Sequence, residues 1–180
     1  MLQITVPAKE WFNEATNTFE ETKEQTLQLE HSLVSVSKWE AKWEKPFLGR
    51  DSKTMEETID YVRCMTITKN VDPNIYYALT AKNIEDITNY ISAKRTATWF
   101  SNNEHRPQSR KIITSELIYY WMIALQIPFE CQRWHLNRLL TLIQVCNIEN
   151  TPKEKMGTNK ILAQNKALNR ARRAWYNTKG

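Results

Sequence analysis

A chain of 180 residues with 41% hydrophobic and 11% aromatic side chains is long and apolar enough for one domain with a sizeable core, which excludes disorder over most of its length. Its three glycines, Gly49, Gly157 and Gly180, cannot assemble a Gly-rich phosphate loop, and they disfavour an all-β sandwich, whose tight turns need positive φ. The net charge of +5 is a property of one end: residues 151–180 hold eight Lys or Arg against one Glu, giving +7, and residues 1–150 sum to −2.

Leu2-Gln3-Ile4-Thr5-Val6 alternates apolar and polar up to Pro7, a strand signal. Phe12–Glu21, rich in Asn, Thr and Glu, has the composition of a turn or hairpin loop. Thr26–Glu30 alternates again, so a small N-terminal hairpin is expected over residues 1–32. Leu33–Lys45 turns helical and stops at Pro46, with Trp39 and Trp43 four apart on one face, expected as a core-facing stripe, with a ligand-stacking pair as the alternative. Thr54 and Glu57 make a capping box for a helix Met55–Met65, with Ile59, Val62 and Met65 inward. Asp72-Pro73 opens a short helix to Leu79, and Asn83 is the expected cap of another over Ile84–Ala93.

Residues 94–110, KRTATWFSNNEHRPQSR, keep no period and predict an irregular connector whose length points to a functional role or to a segment wrapped over the surface. The apolar run Lys111–Cys146 then predicts two consecutive helices. One starts at Thr114 or Ser115 and ends at Ile127; the other opens at Pro128 and continues to about Cys146. Trp121, Trp134, Tyr120 and Leu139 are assigned to its core. Residues 147–159 form a linker, and Lys160–Asn177 a basic helix with a weak apolar stripe of Ile161, Leu162, Leu168 and Trp175. The expected fold is mainly α: a hairpin lobe (1–32), a helical core (33–147), and a linker with a basic C-terminal helix (148–180).

No catalytic constellation emerges. His31, His105 and His135 are far apart in sequence, and the three cysteines, Cys64, Cys131 and Cys146, form no CxxC pair. Cys131 and His135 fall four apart, on one face of the expected second core helix. Two ligands do not fix a metal, and a thiol–imidazole couple without a third orienting group is a poor nucleophile, so no metal, cofactor or catalytic residue is assigned. The longest nearly uncharged apolar run, Leu117–Phe129, is shorter than the roughly 20 residues a bilayer requires. Without a basic, then apolar, opening segment either, the expectation is a soluble, cytosolic protein with no membrane role.

The C-terminal KALNRARRAWYNTKG combines clustered cations with Trp175 and Tyr176. Single-stranded nucleic acid, an acidic protein partner, or solvent alone are all compatible with it. Trp99, Phe100, Arg106 and Arg110 in the connector, and Arg170, Arg172 and Arg173 in the tail, are the expected partner-binding residues, because Trp and Arg dominate interface hot spots.

At LEHSLVSVSKWEAKWEKPFL, at EETIDYVRCMT, and through RTATWFSNNEHRPQSRKIITSELIYYWMIALQIPFECQRWHLNRLLTLIQVCN, the chain resembles a family of small tailed-bacteriophage morphogenesis proteins, some of which look like tail assembly chaperones. The likeness runs from about residue 26 to the basic end NRARRAWYNTKG. It implies a mostly helical, non-enzymatic protein of the host bacterial cytoplasm. Such chaperones coat the tape measure protein before the tail tube polymerises around it, and are then released; many exist in a short and a frameshift-extended form. The resemblance carries over no catalytic residue. A virion component of the neck or tail, which would form rings or stable contacts with other structural proteins, and a nucleic-acid-binding accessory protein remain as alternatives, and a homo-oligomer is a further possible partner state.

Overall fold

The computed structural model describes residues 1–13, 17–100, 112–151 and 158–176. The fold is mainly α with a small N-terminal β ribbon. Two compact units divide the chain, Met1–Asn147 and Ile148–Gly180. The ribbon and the helices up to residue 147 therefore share one core.

Strand β1 (Leu2–Val6) pairs antiparallel with β4 (Gln25–Leu29), Ile4 opposite Leu27. Side chains alternate across a strand, so Ile4, Val6, Leu27 and Leu29 all enter the core while Gln3, Thr5, Thr26 and Gln28 face out. The ribbon then resumes as β2 (Lys9–Asn13) against β3 (Thr18–Thr22). A loop was expected across Phe12–Glu21, but Phe12 and Phe19 lie directly opposite each other with ring centroids 5.2 Å apart, a cross-strand aromatic pair that holds polar strands in register. Residues 65–67 cover part of the free edge of β4: Ile67 N–H donates to Gln28 O (2.8 Å) and Glu30 N–H to Met65 O (2.9 Å).

Helix α1 (Leu33–Trp43) starts at a Ser32/Ser35 capping box and ends on Glu44 in the left-handed conformation (φ 52). Helix α2 (Met55–Met65) starts at the expected Thr54/Glu57 box. The two are tied by Trp39, whose indole N–H donates to Glu57 O (2.8 Å), and by the ion pairs Lys42–Asp60 (2.5 Å) and Lys45–Glu57 (2.6 Å). Pro73–Ala78 is a 3₁₀ turn. Helix α3 (Ala81–Ser92) begins three residues before the expected start: Thr80 is the cap, and Asn83 closes the capping box on it. Asn83 also donates to Thr5 O (3.2 Å), which fixes α3 to β1.

Helix α4 (Ser115–Ala124), expected to start at Thr114 or Ser115 and to reach Ile127, is capped by Thr114 and ends three residues short. The helix expected from Pro128 is broken in two. A 3₁₀ turn covers Phe129–Arg133, Trp134 is extended, and α5 runs Leu136–Asn150. The break has a tertiary cause: Ser32 and His135 form a β-bridge and Leu136 N–H donates to His31 O (2.7 Å), which takes the backbone out of helical geometry there. Of the four residues assigned to this core, Leu139 is fully buried and Trp121 and Trp134 are half-buried against it, but Tyr120 is exposed. α4 is apolar all round, so its sequence carries no period to select a face; packing chooses Ile118 and Met122, four apart. Leu139→Ala should lower the unfolding free energy by about 3 kcal/mol, the cost of a cavity in a closed core, read as a lower urea midpoint.

Helix α6 (Thr158–Tyr176) belongs to the second unit. Its sequence holds Lys160, Lys166, Arg170, Arg172 and Arg173 and no acidic residue. No helix among the described residues is long and apolar enough to cross a membrane.

Candidate functional site

The interior of the first unit holds a polar junction. His31 (2% exposed) follows β4, and Tyr61 on α2 lies 2.5 Å from its Nδ1. The His135 ring stands edge-on to His31, with centroids 5.1 Å apart. Asn137 N–H donates to His135 Nδ1 (3.3 Å), so that nitrogen is unprotonated, and Nε2–H donates to Tyr90 O (3.0 Å). Tyr90 in turn donates its hydroxyl proton to Glu30 Oε1 (2.6 Å). Five segments meet here: the end of β4, α1, α2, α3 and the start of α5.

Burial, and then the neighbouring His135, hold His31 down at about 4, against a smaller raising effect of Glu30. Burial likewise lowers His135. Both imidazoles are therefore neutral at neutral pH. Burial pushes the phenols of Tyr61 and Tyr90 up, so they act as hydrogen-bond donors and not as bases. The arrangement is suited to locking elements together.

Cys131 does not share a helical face with His135. It is buried in the 3₁₀ turn, whereas His135 follows the extended Trp134. Both His135 nitrogens are engaged, and no cluster of three His, Cys, Asp or Glu suited to a metal ion occurs among the described residues. Cys64 is half-buried, and desolvation followed by the charge of Asp60 raises its thiol, which opposes thiolate chemistry.

The expected partner-binding residues fall on two surfaces. Trp99 (78% exposed) and Phe100 (half-buried) end the segment that leaves α3, while Arg106 and Arg110 lie outside the described residues. Arg170, Arg172 and Arg173 are exposed on α6. There, Leu168, Ala171, Arg172, Trp175 and Tyr176 line a shallow depression of about 320 Å³. Their spacing of three, four, seven and eight residues from Leu168 is that of one helical face, with Trp175 (85%) and Tyr176 (72%) open to solvent.

No family model, curated protein or solved structure matches the chain.

Sequence reasoning missed the polar junction and the buried carboxylate of Glu40 on α1, whose Oε1 accepts from Phe47 N–H (2.7 Å) and Oε2 from Ser115 N–H (2.7 Å). Capping-residue patterns signal only local bonds, and these partners are distant in sequence.

Proposed function

We propose that the protein is a non-enzymatic binding protein of tailed-bacteriophage morphogenesis, a tail assembly chaperone that takes up the helical tape measure protein in the host cytoplasm. The observation that carries this reading is the face of α6, where Leu168, Trp175 and Tyr176 are exposed beside Arg172 on a helix with no acidic residue. A solvent-exposed apolar stripe edged by cations is the chemistry of helix-on-helix capture: the apolar residues supply affinity and the guanidinium groups select acidic stretches. The likeness to phage chaperones supplies the identity of the partner.

The test is capture of the tape measure protein by the full chain carrying Arg172→Glu and Arg173→Glu. Capture should be lost. The thermal melt should stay within about 0.5 kcal/mol of the parent, as for exposed substitutions away from packed features. Undiminished capture would remove α6 from the reading. Retention of the protein at fixed copy number in mature virions would favour the structural alternative. Salt-dependent binding of nucleic acid abolished by the same pair of substitutions would favour the accessory-factor alternative.

A further inference from the structure

A second surface, on the first unit, has the chemistry of a carboxylate receptor. A cleft of about 530 Å³ opens between the segment leaving α3 and the outer face of α5. Its volume falls within the range of roughly 300–1,000 Å³ typical of ligand clefts. Arg95 and Arg138 line it from opposite elements, Thr96 and Thr141 add hydroxyls, and Trp134 and Leu142 add apolar wall.

Both guanidinium groups are held before any ligand arrives. Arg138 Cζ stands 4.1 Å from the centroid of the Trp134 ring, and Arg95 Cζ stands 4.8 Å from that of Tyr90. Stacking fixes the plane of a guanidinium and leaves its N–H edge free for a planar anion. The supports are themselves fixed. Tyr90 is buried and bonded to Glu30, and Asn137 donates to Ile91 O (3.0 Å) and Ala93 O (2.9 Å), clamping the end of α3 to α5.

Neither arginine has a carboxylate within ion-pair distance among the described residues, and no acidic residue lines the cleft. Arg95 also holds a left-handed backbone (φ 51), a conformation that non-glycine residues rarely adopt and that the fold maintains at this position.

We infer that this cleft binds an acidic segment of a protein partner, a Glu or Asp carboxylate on Arg95 and Arg138 with an adjoining aliphatic side chain against Trp134 and Leu142. The apolar wall favours a peptide over nucleic acid, whose backbone requires a longer cationic track than two side chains provide. The inference goes beyond the role given to α6 and stands on the first unit alone.

The test uses full-length, ¹⁵N-labelled protein titrated with a short acetylated peptide of Leu and Glu, with its Gln-for-Glu counterpart, and with an oligothymidylate. The Glu peptide should move the Trp134 indole N–H resonance. Arg138→Gln and Arg95→Asn, the latter suited to the left-handed backbone, should each weaken its binding about tenfold, the size of a lost charge-assisted hydrogen bond. Both side chains are exposed, so the melts should hold. Arg50→Gln, a substitution of an exposed cation outside the cleft, should leave binding unchanged. Equal binding of the Gln peptide, or unchanged affinity in both cleft variants, would overturn the inference. So would a stronger Trp134 response to oligothymidylate. Loss of peptide binding only on Arg172→Glu and Arg173→Glu would place recognition on α6 and sink the cleft while sparing the proposed function.

Discussion

Glu40→Ala should lower the unfolding free energy by about 3 kcal/mol, seen as a lower urea midpoint with an unchanged slope. The carboxylate is 7% exposed and accepts two backbone N–H bonds at 2.7 Å, from Phe47 just after α1 and from Ser115 at the start of α4. The Ser115 N–H belongs to the first turn of a helix, where no carbonyl of the helix itself can serve it. Removing the acceptor leaves two donors without partners at a closed junction, each costing about 1–3 kcal/mol. The negative charge also sits at the positive end of the α4 dipole. Among the described residues no Lys or Arg pairs with it, so backbone dipoles do the work that a cation does for Asp60 and Glu57. Glu40→Gln separates shape from acceptor capacity. The amide keeps the volume but turns one oxygen into an NH₂ group facing an N–H, so it should recover less than half of the loss. Both variants within about 0.5 kcal/mol of the parent would refute the latch.

Local signals were the legible part of the sequence. The strand Leu2–Val6 and the Thr54/Glu57 box depend on residues a few positions apart, and the structure places them where the pattern does. The errors share a non-local cause. The loop-like composition of Phe12–Glu21 hides a strand pairing across residues distant in the pattern, with Phe12 set opposite Phe19. The helix expected from Pro128 breaks at Trp134 because His31 and Ser32, a hundred residues earlier in order of magnitude, pair with the chain there. Asn83 has the residue type of a cap yet serves as the returning partner of Thr80.

The candidate surfaces divide in the same way. The α6 face could be read from the spacing of Leu168 and Trp175, because a helix exposes its period directly. The cleft could not. Arg95 and Arg138 look like scattered surface cations until Tyr90 and Trp134 are brought beneath them, and that depends on the Asn137 clamp between α3 and α5. Glu40 and Asp60 likewise read as solvated charges on a helix; their burial is decided by which elements pack over them.

Acid should destabilise the first unit before its carboxylates titrate. His31 is held at about 4 in the folded chain, against about 6.5 for an exposed imidazole. Above pH 6.5 both states are neutral at this site, and stability does not depend on it. Between 6.5 and 4 the unfolded chain takes up a proton that the folded one refuses, so stability falls with pH; below 4 both states are protonated and the loss is complete. A depression of this size corresponds to roughly 3 kcal/mol, and His135, also lowered, adds loss of the same sign. The groups around the pair are Tyr61 and Ser35, Phe47, Tyr90, and the charges of Glu30, Arg95 and the Met1 ammonium; the Tyr90 carbonyl, for His135, and Glu30, for both, work against the depression. Protonating His135 Nδ1 would also remove the acceptor of Asn137 N–H at the start of α5. Glu57, held low by Lys45 and then by Thr54, loses its contribution only as pH falls below its ordinary value of 4.5, so a window between 6.5 and 4.5 isolates the histidines. Urea midpoints measured across that window should fall steadily for the parent chain and stay nearly flat for His31→Gln with His135→Gln, whose amides keep hydrogen-bonding capacity without titrating. A parent curve as flat as that of the double variant would mean that the imidazoles titrate normally in the fold and that the junction is open to water.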